Sequence, residues 1–238
     1  MKLHLLGVNG PFPESRGATS GYLLQTEQEL LQFDLGSGVL ARLTALAPPE
    51  SLSALFLSHW HFDHISDLPV LMYRLEAMGE TLRVFAPVDE SSVLRRAVAS
   101  ASCFQLNDIV PGQEVSVGGS TVLVCEARHP VPAVGYRVKA GSRVFGYTGD
   151  TNSLPELADR YRGCHLLLAD GLFPEENWSG QKPHLSAALA ADLAREAGAE
   201  HLVLTHLNPL YSPRLLLREA QSRHPHVTLA AAGTVLEV

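Results

Sequence analysis

The sequence lacks the features that mark membrane-spanning, disulfide-rich and nucleic-acid-binding proteins. No apolar stretch approaches the roughly 20 residues that a transmembrane helix requires, and we expect no membrane partner. The three cysteines are widely spaced, without a Cys-x-x-Cys pair, which predicts buried thiols instead of a disulfide framework. The formal net charge of −7 gives no reason to expect nucleic-acid binding, which depends on clustered Lys and Arg.

The N-terminal residues predict a β-strand instead of an export signal. The apolar run from Leu3 to Val8 contains His4, a polar turn follows it at once, and no small-residue cleavage site is evident. We therefore expect a cytoplasmic protein. Because repeats, low-complexity tracts and linkers are lacking, we also expect a single domain over residues 1–238.

Short apolar runs alternate with amphipathic helices along the chain. Strands are predicted at 2–8, 20–25, 30–34, 54–57, 82–86, 165–169 and 201–205, with a further group between about 103 and 147. Helices are predicted at 37–46, 67–78, 89–100, 155–161, 186–197 and 213–223, before two small final strands. Two similar blocks of this kind favour two stacked sheets with helices on both outer faces.

The most informative segment is residues 57–64, Leu-Ser-His-Trp-His-Phe-Asp-His, directly after a short apolar strand. Such a cluster of histidines and an aspartate would be costly in a protein core without a shared partner. Imidazole and carboxylate groups are ligands that zinc-like divalent ions prefer. In extended backbone, His59 and His61 point the same way and can bind one ion. Asp63 and His64 can turn toward a second ion.

Further candidate ligands stand at the boundaries of predicted elements. They are His129, Asp150 and His206, which follow strands, and His184, which precedes a helix. One loop cannot complete two coordination shells, so a binuclear site needs such additional residues. A lone histidine at a strand end is usually a polar cap, but four such positions together with residues 57–64 favour a common metal site.

Aromatic residues near these motifs are expected mainly to pack. Trp60 and Phe62 alternate with the histidines, so both should pack against the neighbouring helix. Other aromatic residues stand in loops beside motif positions, where loop packing is the default and a pocket wall is the alternative. These residues are Phe12, Phe173, Trp178 and Tyr211.

The complete pattern resembles the metallo-β-lactamase superfamily over nearly the whole chain. It consists of His59-x-His61-x-Asp63-His64, His129, Asp150 and His206. The resemblance implies an α/β fold of four layers, the αβ/βα sandwich, in which two stacked mixed sheets are flanked by helices. It places the metal site at one edge between the sheets. Asp34 matches the early aspartate that braces the metal-binding loop in this family.

The resemblance also implies how the ligands are shared between two divalent ions. The first ion would be bound by His59, His61 and His129, the second by Asp63, His64 and His206, and both by Asp150. Zinc is the expected metal, and the same donors also suit manganese and iron.

Within the superfamily, the sequence resembles ribonuclease Z-like and cyclic phosphodiesterase-like enzymes. The similar segments are Gly-Ala-Thr-Ser-Gly-Tyr-Leu-Leu at 17–24 and His-Pro-Val-Pro-Ala-Val-Gly-Tyr-Arg at 129–137. In such enzymes an acidic residue at the position of Asp170 supports a catalytic histidine at the position of His184, although the usual residue is glutamate. Asp63, His184 and Asp170 are therefore the candidate catalytic residues.

The resemblance to this family also indicates the size and kind of the substrate. Relatives that process tRNA carry a long arm between the third metal histidine and the bridging aspartate, whereas only residues 130–149 separate His129 and Asp150 here. Relatives that hydrolyse lactams often use a cysteine at the second metal, and no cysteine here matches that position. We therefore predict a phosphodiesterase that uses a metal-bridging hydroxide on small, cyclic or nucleotide-like phosphodiesters.

Several alternatives stay open at this stage. The same metal site could serve a thioester, lactone or sulfate-ester hydrolase, or a tRNA 3′-processing endonuclease that lacks the arm. An iron-loaded redox enzyme and a binding or regulatory protein without activity are more distant alternatives. We expect a small-molecule substrate, and the resemblance leaves open a homodimer formed through helices near the site.

Overall fold

Two mixed β-sheets form the centre of the computed structural model, which describes residues 1–238. In chain order the strands are β1 (Lys2–Gly7), β2 (Gly21–Gln25), β3 (Leu30–Phe33), β4 (Ala54–Phe56), β5 (Leu82–Pro87), β6 (Phe104–Ile109), β7 (Glu114–Val117), β8 (Ser120–Glu126), β9 (Val134–Ala140), β10 (Arg143–Tyr147), β11 (Leu166–Asp170), β12 (His201–Thr205), β13 (Val227–Leu229) and β14 (Val235–Glu237). The two seven-stranded sheets have the orders β14-β1-β2-β3-β4-β5-β6 and β13-β12-β11-β10-β9-β8-β7.

Seven α-helices connect the strands. They are α1 (Val39–Leu46), α2 (Phe62–Ile65), α3 (Leu68–Met78), α4 (Val93–Ser100), α5 (Leu157–Arg160), α6 (Ala187–Ala197) and α7 (Pro213–Gln221). No helix is long and apolar enough to cross a membrane. Glycines end α3 and α6 in the left-handed conformation, at Gly79 and Gly198, directly after the predicted helix ranges 67–78 and 186–197.

Three apolar layers hold the sheets and helices together. Between the sheets, the Phe33 ring lies 5.4 Å from that of Tyr136 and 5.8 Å from that of Phe145. On the outer face of the first sheet, buried leucines of α1 and α3 pack against β4 and β5. On the outer face of the second, the small residues of α6 pack against β11 and β12. The predicted four-layer αβ/βα sandwich is therefore confirmed.

The strand directions bring the chemically active residues to one edge. Strands β3 and β4 are parallel, with Phe33 beside Phe56, and β10, β11 and β12 are parallel in the other sheet. Because carboxyl ends of parallel strands meet at the same edge, the segments that follow these strands lie side by side. These segments contain most of the candidate site residues.

The structure differs from the sequence predictions around residue 62. The loop after β4 is extended only through His61 and then forms the short helix α2. Trp60 is buried in the apolar cluster that contains the leucines of α3, as its packing prediction requires, and its indole Nε1 donates to the carbonyl of Pro87 at 2.8 Å. Phe62 is 69% exposed, so the prediction that it packs against the neighbouring helix is wrong. The helical turn ends the two-residue alternation on which that prediction rested.

Candidate metal centre

Three histidine nitrogens converge in a first group of donors. His59 Nε2 lies 2.9 Å from His61 Nδ1, and His129 Nε2 lies 3.1 Å from the same His61 atom. His59 and His61 come from the extended part of the loop after β4, and His129 comes from the segment after β8. The structure therefore brings together the three residues that the family resemblance assigns to one ion.

A second group of donors lies next to the first. His206 Nε2 is 3.1 Å from Asp63 Oδ2, and His64 Nε2 is 3.6 Å from the same oxygen. Asp63 and His64 lie on the short helix α2, which turns both side chains toward His206. His206 follows β12 and has a positive φ of 55°, which turns its side chain back toward the centre.

Asp150 lies between the two groups. Its Oδ2 atom is 3.7 Å from His59 Nε2, 3.2 Å from His64 Nε2 and 3.4 Å from His206 Nε2. The carboxylate is 2% exposed. One oxygen thus faces nitrogens of both groups, which is the placement that a bridging ligand requires.

The donors fit divalent cations by their chemistry and their burial. His64 Nε2 is buried and has no hydrogen-bond partner, although it points at the carboxylates of the cluster. Burial lowers the pKa of His59 well below its ordinary value and also lowers those of His61 and His129. Neutral imidazoles are the form that binds metal.

In the second group the pKa of the histidine is shifted in the opposite direction from those of the first group. Burial lowers the pKa of His64, but the surrounding carboxylates, led by Asp150, outweigh burial and raise it well above its ordinary value. Burial raises the pKa of Asp150, and the charges of His206 and His64 outweigh it and hold this pKa well below its usual range. The carboxylates of this region therefore favour positive charge beside them.

Asp34 braces the loop, as the resemblance implies. Its carboxylate accepts hydrogen bonds from the backbone N–H of Ser58 at 2.7 Å and from the Ser58 hydroxyl at 2.8 Å. It also accepts from His64 Nδ1 at 2.8 Å and from the Tyr147 hydroxyl at 2.6 Å. With Nδ1 fixed in this way, Nε2 of His64 must face the cluster. The sequence does not mark Tyr147 as part of the site, because a tyrosine in an apolar strand carries no distinguishing pattern.

His184 and Asp170 form a pair at the edge of the centre. His184 Nδ1 lies 2.8 Å from Asp170 Oδ2 and 3.8 Å from Asp150 Oδ2. Backbone N–H groups of Thr151 and Leu172 hold the Asp170 carboxylate, each at 3.2 Å. Aspartate, although shorter than glutamate, thus reaches the histidine because β11 ends next to it.

The electrostatic effect of this pair is large. Burial lowers the pKa of His184, but the charge and hydrogen bond of Asp170 outweigh burial and raise the pKa to about 9. The Asp170 carboxylate accepts the hydrogen bond from Nδ1–H, so Nε2 takes no part in this pair.

Asn152 organises the loop that carries His184. Its side-chain NH₂ donates to the carbonyl oxygens of Lys182 at 2.5 Å and Ser179 at 3.4 Å, while its side-chain oxygen accepts from Trp178 Nε1 at 3.2 Å. Trp178 Nε1 also donates to the carbonyl of His184 at 3.1 Å. Asn152 is not among the residues predicted from the sequence, where its position two residues after Asp150 is the one available signal.

Gly10 lies directly against His206. A Cβ atom built on Gly10 would lie 2.1 Å from His206 Nε2, so a larger residue could not occupy this position without moving the imidazole. The Gly10 N–H donates to the carbonyl of Leu207 at 3.2 Å, which holds the N-terminal loop in place beside the ligand.

Comparison with known proteins agrees with this geometry. A family model described as a β-lactamase superfamily domain matches residues 33–207. The chain is 31% identical over 248 residues to the probable metallo-hydrolase YhfI of Bacillus subtilis, covering 100% of both proteins. It is 26% identical over 276 residues to a ribonuclease Z of Methanopyrus kandleri, covering 99% of this chain and 97% of that protein.

A solved structure shows the same architecture. The crystal structure of YhfI from Bacillus subtilis superposes with a TM-score of 0.93 at 29% sequence identity, covering 99% of this chain and 98% of that one. The fold is therefore shared over the whole length and includes every segment that contributes a donor.

Proposed function

This chain belongs to the β-lactamase superfamily and is a metal-dependent hydrolase, and from that premise we propose that it is a phosphodiesterase acting on small, cyclic or nucleotide-like phosphodiesters. The residues that would hold two zinc ions are His59, His61 and His129 for the first, Asp63, His64 and His206 for the second, and Asp150 for both. Such ions supply an activated hydroxide and neutralise charge on a phosphoryl group.

The observation that carries the proposal is the His184–Asp170 pair beside the donor cluster. Asp170 accepts a hydrogen bond from the Nδ1–H of His184 at 2.8 Å, which leaves Nε2 free to act on a substrate. Nε2 can then donate a proton to the leaving alkoxide of a phosphodiester, which needs a general acid more than an activated thioester does. The name of the ribonuclease Z relative, which denotes cleavage of phosphodiesters, also supports this bond type.

Asp63 has two tasks in this scheme. It belongs to the second group of donors, and its Oδ2 lies 3.1 Å from His206 Nε2. Its side chain is 11% exposed against 3% for Asp150, and this more accessible carboxylate would also orient the attacking water.

Hydrolysis of bis(p-nitrophenyl) phosphate tests the proposal directly. Zinc- or manganese-loaded protein should release p-nitrophenol, and Asp150→Ala should abolish the release while Asp159→Ala, an exposed carboxylate outside the site, should not. His184→Ala should lower the rate on a diester with an alkoxide leaving group, such as a cyclic nucleotide, roughly 10²–10⁴-fold and the rate on bis(p-nitrophenyl) phosphate much less, with its metal content retained. If metal-loaded protein does not hydrolyse bis(p-nitrophenyl) phosphate but does hydrolyse a thioester or lactone, the phosphodiesterase proposal is wrong and the thioester or lactone takes its place.

Three expectations from the sequence belong to the same proposal. The substrate is a small molecule, because no inserted arm separates His129 from Asp150. The chain acts as one domain in the cytoplasm. A homodimer is proposed from the resemblance alone, and size-exclusion chromatography with light scattering measures it.

A further inference from the structure

Lys182 places a positive charge beside the His184 side of the metal centre. Its Nζ atom lies 5.1 Å from the centroid of the Phe173 ring. The Phe173 ring is in turn 6.0 Å from the His184 ring and 6.0 Å from the Tyr211 ring. Phe173 and Tyr211 are half-buried and Lys182 is exposed. An aromatic wall with an ammonium group above it therefore borders the residue that faces the leaving group.

The backbone of Lys182 is fixed while its side chain is free. Its carbonyl oxygen accepts the hydrogen bond from Asn152 at 2.5 Å, and the carbonyl of Pro183, the next residue, lies 3.2 Å from His129 Nδ1. The root of the side chain thus keeps a constant position relative to His129 and His184. The flexible stem allows the ammonium group to move from the Phe173 ring to a ligand.

The ammonium group is available to an anion. It forms no salt bridge with a carboxylate, and a cation–π contact at an exposed position is weak compared with a charge-assisted hydrogen bond to phosphate. Glu175, in the same loop region, is paired with Arg223 at 3.2 Å. Arg128, beside His129, donates to the carbonyl oxygens of Ser153 and Gly180.

Lysine is rare in this chain, which makes its position informative. There are three lysines, Lys2, Lys139 and Lys182. Lys2 lies 3.9 Å from Glu237, and Lys139 is exposed on β9, outside the metal centre. Only Lys182 adjoins a residue of the proposed catalytic pair.

We propose that Lys182, Phe173 and Tyr211 form a subsite for the leaving group of the substrate, in which the rings contact a planar base and Lys182 binds a second phosphate. The inference rests on the proposed function, because His184 defines which side the leaving group occupies. It narrows the substrate class to phosphodiesters whose leaving group is a phosphorylated nucleoside. Diesters with an uncharged leaving group lack the second contact.

Binding of two adenosine phosphates tests the subsite without turnover. Isothermal titration calorimetry of the zinc-loaded protein compares adenosine 5′-monophosphate with adenosine 3′,5′-bisphosphate. The wild-type protein should bind the bisphosphate about three- to tenfold more tightly. Lys182→Met should remove this preference, Lys182→Arg should keep most of it, and Lys139→Met, which removes the same charge elsewhere, should leave it unchanged.

The contribution of the aromatic rings to binding is measured separately from that of Lys182. Phe173→Leu should weaken the binding of both adenosine phosphates by a similar factor and leave the binding of inorganic phosphate unchanged. Equal affinity of the wild-type protein for the two nucleotides, or a preference that survives in Lys182→Met, overturns the subsite. So does a lack of binding of either nucleotide.

These results are independent of the hydrolysis assay. If the protein shows the Lys182-dependent preference but hydrolyses no phosphodiester, the anion subsite is supported and the proposed function is contradicted. If the protein hydrolyses bis(p-nitrophenyl) phosphate but shows no Lys182-dependent preference, the proposed function is supported and the subsite is contradicted.

Discussion

The hydroxyl of Tyr147 donates a hydrogen bond to Oδ2 of Asp34 at 2.6 Å and thereby connects the two sheets beneath the metal centre. Tyr147 ends β10 in the second sheet, and Asp34 follows β3 in the first. Because Asp34 also holds His64 Nδ1, the position of a ligand depends on a contact that crosses the core.

We expect Tyr147→Phe to weaken binding at the second group of donors by about tenfold, because Asp34 loses one of the donors that fix it. The ring packing against Tyr22, 5.0 Å away, should persist. Competition with a chromophoric chelator measures the affinity. Tyr161→Phe is the matched control, since its buried hydroxyl contacts the carbonyl of Tyr147 and not Asp34. Equal losses of affinity in both variants would contradict the role of the Tyr147–Asp34 contact.

Gly10→Ala should displace His206, because the added Cβ would lie 2.1 Å from Nε2 of its ring. We expect the variant to bind one ion tightly through His59, His61 and His129 and to lose most of the second. Elemental analysis after dialysis measures the stoichiometry. Gly180→Ala, where an added Cβ meets no atom within 4 Å, serves as the control. If Gly10→Ala retains two ions, the N-terminal loop moves to accommodate the added Cβ and His206 keeps its position.

The candidate ligands and the residues that support them differ in how far the sequence predicts them. Two candidate ligands of the first group, His59 and His61, follow from the two-residue repeat of extended backbone, whereas His129 follows from its position after an apolar strand. Asp150 and His206 follow from their positions after apolar strands. Phe62 was assigned the wrong environment because the repeat ends where α2 begins, and no glycine or proline marks that change.

The supporting contacts depend on three-dimensional proximity and carry no local pattern. Asn152 is a single polar residue in a loop, and its partners lie 27 and 30 positions further along the chain. Tyr147 and Asp34 are separated by 113 positions. Only the folded structure reveals such pairs, whereas strand and helix positions follow largely from apolar periodicity and from glycines such as Gly79 and Gly198.

Removal of metal should lower the thermal stability of the protein. The ions would bind the folded chain and not the unfolded one, so free metal at about 100 times its Kd contributes roughly 2.7 kcal/mol. For a chain of this size this corresponds to a decrease in Tm of about 5–10 °C upon addition of a chelator. Calorimetry with and without the chelator measures it. Asp150→Ala should show little dependence on chelator, and His165→Gln, which lies outside the donor cluster, should respond like the wild type.

Glu29 provides a test of stability at the opposite end of the sheets, where it joins the turn after β2 to the turn after β7. Its carboxylate accepts hydrogen bonds from the Gly119 N–H at 2.6 Å and the Ser120 hydroxyl at 3.1 Å, and from the Thr26 hydroxyl. Burial raises the pKa of Glu29, but these hydrogen bonds outweigh burial and lower it below its ordinary value of 4.5.

Since the folded chain has the lower pKa, the ionised Glu29 stabilises the fold fully above the unfolded value, and this contribution is lost as the pH falls through the folded pKa. Glu29→Gln should therefore lower the free energy of unfolding by about 2 kcal/mol at pH 7, and the difference from wild type should shrink in acid below pH 4.5. Urea unfolding at both pH values measures it. Glu27→Gln, an exposed change in the same turn, should have little effect at either pH. A deficit for Glu29→Gln that stays constant into acid would mean that side-chain shape, and not the ionised carboxylate, joins the two turns.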